Sequence, residues 1–321
     1  MIAIDYDFVQ EIQKKYLKFL ESQRIDALNN LNTIDKSKLL HEQITYIDRV
    51  IKVFKNKKES IVTADKNLME KLIKSVGELP TSKRKETKDI VLKALKYSDL
   101  RSSFYPSYFN VLGINACVYC NSQLTIVARK NDKNVRSAKY QLDHYHAKSK
   151  YPFLSISLFN LYPVCGSCNL SKGVKDVDFD LYIKDKMLTQ SSLYSFKLTD
   201  NSLSNYLLNK KREFIVVKFH EPQVNKVKGR DNHSFEELFH IQGIYNTQKD
   251  LVEELIVKSQ MYNEKYIDTL QSSFSSLKLN PSLFKRTIVG NYTEDKDIHK
   301  RPMSKFTMDI ARQLGLIDKI K

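Results

Sequence analysis

Through most of the first hundred residues, apolar side chains recur every three to four positions, the spacing that gathers them on one face of a helix. Phe8, Ile12, Tyr16 and Phe19 do so over residues 7–23. Leu40, Ile44, Ile47, Ile51 and Phe54 form a second stripe. Leu68, Leu72, Val76 and Leu79 form a third, which Pro80 is expected to end because its ring cannot continue a helix. The basic, polar run SKRKETK then leads into Ile90, Leu92 and Leu95. Residues 1–100 read as a helical region whose stripes pack on one another.

From about Tyr105 the sequence turns aromatic, cysteine-bearing and rich in turn formers. Residues 123–128 (QLTIVA) and 139–146 have strand composition, and the polar loop KNDKNVRS between them suggests a hairpin. After Pro163 the segment VCGSCNLSKG opens a helix, so the local order is strand, strand, helix. Past Lys186 a strand is expected over 213–219 (EFIVVKF), with 194–198 as its partner. A helix from Thr247 carries Asp250 as a weak capping partner and Leu251, Leu255, Tyr262, Tyr266 and Leu270 on its apolar side. A last helix, 305–314, lies between Ser304 and Gly315. The expected class is mainly α with a small α+β insert: a helical region over 1–100, the insert over 101–186, and short strands followed by helices over 187–321.

Composition narrows the function. Of 321 residues, 41% are hydrophobic and 11% aromatic, enough apolar surface to offset chain entropy and to exclude a disordered chain. Every apolar run is shorter than the roughly 20 residues of a membrane span, and MIAIDYDFVQ lacks a basic segment followed by an apolar one. A soluble, cytoplasmic chain with no membrane partner is expected. The 53 Lys and Arg against 37 Asp and Glu leave a net charge of +16, which draws polyanions and points to nucleic acid. The plainer reading is that lysine merely confers solubility.

All four cysteines fall in two C-x-x-C pairs, Cys117 with Cys120 and Cys165 with Cys168, 44 residues apart. Two such pairs supply the four thiolates of a tetrahedral, structural Zn2+ site. Redox chemistry needs only one pair, and a disulfide framework is out of place without a secretion signal.

Within the loop that such an ion would close lies QLDHYHAKSKYPFLSISLFNLYPVCGSCNLSKG. Asp143-His144, Asn160, the Cys165 to Cys168 pair with Asn169, and Lys172 together resemble the cysteine-flanked HNH nuclease motif. The resemblance implies a ββα-metal core. It also implies His144 as general base, Asp143 and Asn169 as ligands of a catalytic divalent ion, and Asn160 as the residue that orients the histidine and braces its loop. Asn169 stands where many members carry His, as in HNN forms. The same run and the tail VGNYTEDKDIHKRPMSKFTMDIARQLGL resemble the HNH subunits encoded beside an ATPase in bacterial anti-phage systems of the Septu type, over roughly residues 105–321. Those relatives tend to carry proline where Ala147 sits, which implies a looser turn here.

The residue chemistry agrees independently. Phosphodiester hydrolysis needs an activated water and stabilised charge on the phosphate. An imidazole with a pKa of about 6.5 can accept the proton. A carboxylate with an amide oxygen suits Mg2+ first and Mn2+ second. Consecutive strand residues face opposite ways, so Asp143 and His144 serve one site only from a strand end or a bulge. His146 shares a face with His144, and its plain reading is a partly exposed strand residue. Lys148, Lys150 and Lys172, with Tyr145 and Tyr151 interleaved, could contact phosphates and bases. The other histidines have no ligand spacing.

The expected function is thus a metal-dependent endonuclease, DNA favoured; the resemblance implies a 5′-phosphate and 3′-hydroxyl product and a defence effector with an ATPase subunit. The partner would dock on the N-terminal stripes or on the helix from Thr247 to Leu270. The competing readings are an RNA-cleaving effector, on tRNA for example, and a zinc-stapled nucleic-acid-binding protein with a degenerate pocket. Asp143 beside His144 argues against the last, since binding alone needs no general base.

Overall fold

The chain begins in a two-residue strand, β1 (Ile4–Asp5), and continues through six helices: α1 (Tyr6–Lys14), α2 (Leu17–Asn32), α3 (His41–Lys55), α4 (Lys66–Val76), α5 (Arg84–Ala94) and α6 (Tyr97–Leu112). The computed structural model describes residues 1–130, 135–224, 231–278 and 280–320. Asp5 and Asp65 start α1 and α4 by accepting hydrogen bonds from the amides of Asp7 and Leu68, at 2.8 and 3.0 Å. Ile47, Ile51, Phe54, Val76 and Leu79 are buried, so the second and third stripes face inward, except that Leu40, at the N-cap of α3, is 44% exposed.

Two expectations change here. The stripe over 7–23 is cut at Tyr16, whose backbone leaves the helical region and starts α2. Phe8 is left 48% exposed. The third helix ends at Gly77, before Pro80: Gly77 takes a φ of 80°, which a residue without Cβ adopts freely, and returns its N–H to the Ile73 carbonyl. Helix α6 had no legible stripe because it is buried on several faces at once, through Tyr97, Leu100, Phe104, Tyr105, Tyr108 and Phe109. It runs without a break across residues 100 and 101.

The expected hairpin also resolves differently. β2 (Ile126–Lys130) pairs with β3 (Val135–Lys139), which takes up part of the polar loop; residues 131–134 of that loop lie outside the described residues. β4 (Gln141–His144) is a separate strand whose antiparallel partner is β5 (Leu161–Val164), with Asp143 opposite Tyr162 and His144 opposite Leu161. The wholly buried β5 gives β4 an apolar partner that the polar β3 segment could not. Pro163 lies inside β5, tolerated because the sheet has only two strands and so has a free edge. Helix α7 (Gly166–Lys172) follows at once.

Beyond it come β6 (Asp176–Val177), β7 (Tyr182–Ile183), α8 (Lys186–Gln190), β8 (Ser195–Leu198), α9 (Asp200–Asn209), β9 (Val217–His220) and β10 (Asn232–His233). The helices α10 (Phe235–Phe239), α11 (Ile241–Asn246), α12 (Lys249–Met261), α13 (Glu264–Ser273), α14 (Pro281–Val289) and α15 (Ser304–Gln313) complete the chain. β8 pairs with β9 as expected, whereas β1 with β7 and β6 with β10 form short parallel pairs. The helix expected over 247–270 is two, because Asn263 caps a new one through the Tyr266 amide. Its inner face is Val252, Leu255, Ile256 and Ile267, leaving Tyr266 45% exposed. The fold is mostly helical with small sheets, and buried apolar side chains from all three sequence regions form one cluster. Among the described residues no helix is long and apolar enough to cross a membrane.

Candidate metal centre and catalytic site

The first cysteine pair sits in the turn after α6, the second at the start of α7, where Cys165 is the N-cap. Asn121 makes the first turn with a φ of 53°, and its amide bonds to the Cys117 carbonyl at 2.8 Å. The tail holds this turn from outside. Asn121 donates to the Ile298 carbonyl at 2.7 Å and accepts from the Lys305 amide at 3.0 Å. The amides of Asn115 and Ala116 bond to the His299 carbonyl.

The four sulfurs are buried and lie within 4.8 Å of one another. Cys120 Sγ and Cys165 Sγ are 3.9 Å apart, too far for a disulfide and close to the edge of about 3.8 Å that a ZnS4 tetrahedron has with bonds of about 2.3 Å. All four are free thiols. Hydrogen bonding, with Cys117 first, pulls Cys120 down to about 7 and Cys165 below the usual thiol range, whereas burial raises Cys117 and hydrogen bonding with the other thiols raises Cys168. This cluster could hold a metal such as zinc.

Tyr119, between the first two thiols, carries the cluster to strand β4. Its ring stacks on Phe239 at 4.7 Å, and its hydroxyl donates to Asp143 Oδ2 at 2.6 Å. The Lys172 ammonium lies 3.2 Å from each oxygen of the same carboxylate and donates to the His144 carbonyl at 3.1 Å. Burial raises the Asp143 pKa, and Lys172 opposes that rise. Lys172, expected to meet phosphate, is instead 1% exposed and serves as the internal counter-ion of Asp143.

His144 is the last residue of β4, the strand-end position that two neighbouring site residues require. Its ring lies 5.3 Å from Tyr97 on α6. Its Nε2 is buried with no hydrogen-bond partner. Burial first, then Lys148, bring its pKa down to about 3 against a pull upward from the Ser155 main chain, so the imidazole is neutral. Lys148 Nζ sits 4.9 Å over the Tyr97 ring.

Asn160 is fully buried and holds the loop after β4. It accepts from the His146 amide at 2.7 Å and donates to the His146 and Leu154 carbonyls at 3.3 and 3.0 Å. His146, expected to be partly exposed, is therefore drawn inside, to 5% exposure. Lys150 is half-buried, and its main chain bonds to Ala147 and Leu79. Asn169, on α7, donates to the Gln141 side chain at 2.5 Å.

Asp143, His144, Lys172 and Lys148 are thus brought together, with Asn160 behind them and Asn169 turned toward Gln141. The donor chemistry of Asp143 and Asn169 suits a hard cation, but in this arrangement Lys172 is the cation of the carboxylate. Tyr119 and Tyr97 had gone unremarked in the sequence. Tyr119 had a signal, its place inside a C-x-x-C pair; Tyr97 had none. No protein-family model, curated protein or solved structure matches the chain.

Proposed function

We propose that the chain is a phosphodiester hydrolase of the HNH type acting on nucleic acid, with a structural zinc held by its four cysteines. The carrying observation is His144, a neutral imidazole whose buried Nε2 has no partner, beside a carboxylate and two ammonium groups. Such a ring is unprotonated and open to a proton from water, and a phosphate anion beside it and Lys148 would raise its basicity toward the range that general-base catalysis needs. Lys148 offsets charge gathering on the phosphate. Asn160 keeps the loop that carries Lys148 in register with β4.

Asp143 and Asn169 would hold a divalent ion, Mg2+ ahead of Mn2+, which when bound supplies Lewis-acid stabilisation of the phosphate. For this Lys172 has to release Asp143, and Asn169 has to release Gln141. DNA is the favoured substrate, with RNA such as tRNA second. His144→Ala is expected to slow cleavage of plasmid, single-stranded DNA or total RNA by about 10²- to 10⁴-fold with binding nearly intact. Cleavage by this variant at the wild-type rate would sink the mechanism.

The grip of Lys172 on Asp143 favours a second reading, a zinc-stapled nucleic-acid-binding protein. Under it, no divalent ion elicits hydrolysis from the wild type. The likeness of the tail to defence nucleases supports a wider role as an anti-phage effector restrained or delivered by an ATPase subunit. Because the second and third N-terminal stripes face inward while α12 and α13 leave Val257, Met261 and Tyr266 exposed, helices α12 and α13 are the better docking candidates. Co-expression with the adjacent gene and size-exclusion chromatography test this; a chain fully active alone that never co-elutes refutes it.

A further inference from the structure

Helices α5 and α6 belong to no part of the strand–strand–helix unit, yet they furnish the ground around His144. Tyr97 of α6 packs 5.3 Å from the His144 ring and carries the Lys148 ammonium on its face at 4.9 Å. Arg101 stands one helical turn on, at i+4 from Tyr97, and so over the same side of α6. It is exposed, while Lys148 and Lys88 of α5 are half-buried. Arg101 and Lys88 each lie within electrostatic reach of Lys148: burial first, then Arg101, then Lys88, lower the Lys148 pKa, and Asp143 pulls it up. The carboxylate nearest Lys88 is the exposed Asp89, at 3.4 Å. Asp143 is already held by Lys172 and Tyr119.

Like charges gathered at a partly desolvated place raise the free energy of the folded chain unless an anion offsets them. Here the excess positive charge borders a buried imidazole nitrogen with no partner.

We propose that Lys88, Arg101 and Lys148 form a seat for the phosphodiester backbone of a nucleic acid at the mouth of His144, so that α5 and α6 are one wall of the substrate channel. The direction of the strand past His144 rests on the hydrolase reading above. The seat takes backbone phosphates and no base edge, so it is indifferent to sequence.

The test is binding, read by fluorescence anisotropy of a labelled DNA duplex and a labelled single-stranded RNA across a salt series, in His144→Ala, with His144→Gln as an alternative background. Arg101→Gln and Lys88→Gln are each expected to reduce the slope of log K against log[salt] by about one, and the pair by about two, with either probe. Lys18→Gln, on an exposed position of α2 remote in sequence, is the control. Slopes matching the control for both probes, or no binding of either probe at all, overturn the seat. A reduced slope in a protein that cleaves nothing keeps the seat and removes the hydrolase reading. Cleavage by the wild type with unchanged slopes does the reverse.

Discussion

The hydroxyl of Tyr119 donates a 2.6 Å hydrogen bond to Asp143 Oδ2, so a residue lying between two thiols of the metal cluster grips the carboxylate of β4. The two centres are therefore mechanically joined, by this contact and by Lys172 of α7, the helix that also carries Cys168. Tyr119→Phe leaves one oxygen of a buried carboxylate short of a donor and is expected to cost about 1.5–3 kcal/mol in urea unfolding. Zinc per chain should stay unchanged by elemental analysis.

Cys168→Ser is expected to lose both. With three thiolates the metal binds weakly, and the turn after α6 and the start of α7 lose their common anchor. Zinc content below that of the wild type, a lower melting temperature and poorer solubility are the expected results. Well-folded wild-type protein without zinc would contradict a structural role for the cluster.

Lys172→Met removes the ammonium that lies 3.2 Å from both oxygens of Asp143 and leaves a buried carboxylate uncompensated. A loss of about 3–5 kcal/mol is expected. Adding Asp143→Asn should restore most of it, because the charge needing compensation is gone. A double-mutant cycle by chemical denaturation measures the coupling, and additive losses would mean that the pair does not interact as drawn.

Asn160→Ala strands the His146 amide and leaves two main-chain carbonyls without the Asn160 donor. A destabilisation on the order of 3 kcal/mol follows. Hydrogen exchange of the His146 amide should rise from strongly protected toward the rate of an open loop, while protection in α3 falls only as far as global stability does.

Acid should destabilise the fold through its buried histidines. Burial lowers the pKa of both His144 and His299 from 6.5 to about 3, with the N-terminal amine of Met1, where it is protonated, adding to the effect at His299. Below pH 6.5 the unfolded chain binds protons that the folded one excludes. The histidine contribution is therefore full above pH 6.5 and falls by about 1.4 kcal/mol per pH unit for each histidine down to about 3, and the buried Met1 amine, lowered from 8.0 to about 5 chiefly by burial, adds a loss that begins below pH 8. Asp143 and Asp309, raised by burial, act in the opposite sense just above the ordinary carboxylate range. His299→Gln keeps a donor for the Ile2 carbonyl and should flatten the urea-measured stability profile by about one proton.

Two of the N-terminal helices, the β8–β9 pairing and the last helix were legible because each rests on a local period, a turn former or a cap. Helix α6 was not legible, since a helix buried on several faces has no polar side to mark its phase. The partner of β4 was not legible either: strand content says that a segment pairs, not with which segment.

The sequence by itself determined which chemical groups stand close together along the chain. The spacing of Cys117, Cys120, Cys165 and Cys168, and the place of Asp143-His144 between the two pairs, are properties of neighbouring residues and carry over unchanged into the fold. Tertiary structure alone decided what those groups face. Lys172 became an internal counter-ion because α7 crosses β4, Asn160 closed on His146 across 14 residues, and Tyr97 came over His144 from a helix 47 positions away. Such contacts depend on which surfaces bury one another, a choice made by packing over the whole chain and written in no local stretch of it.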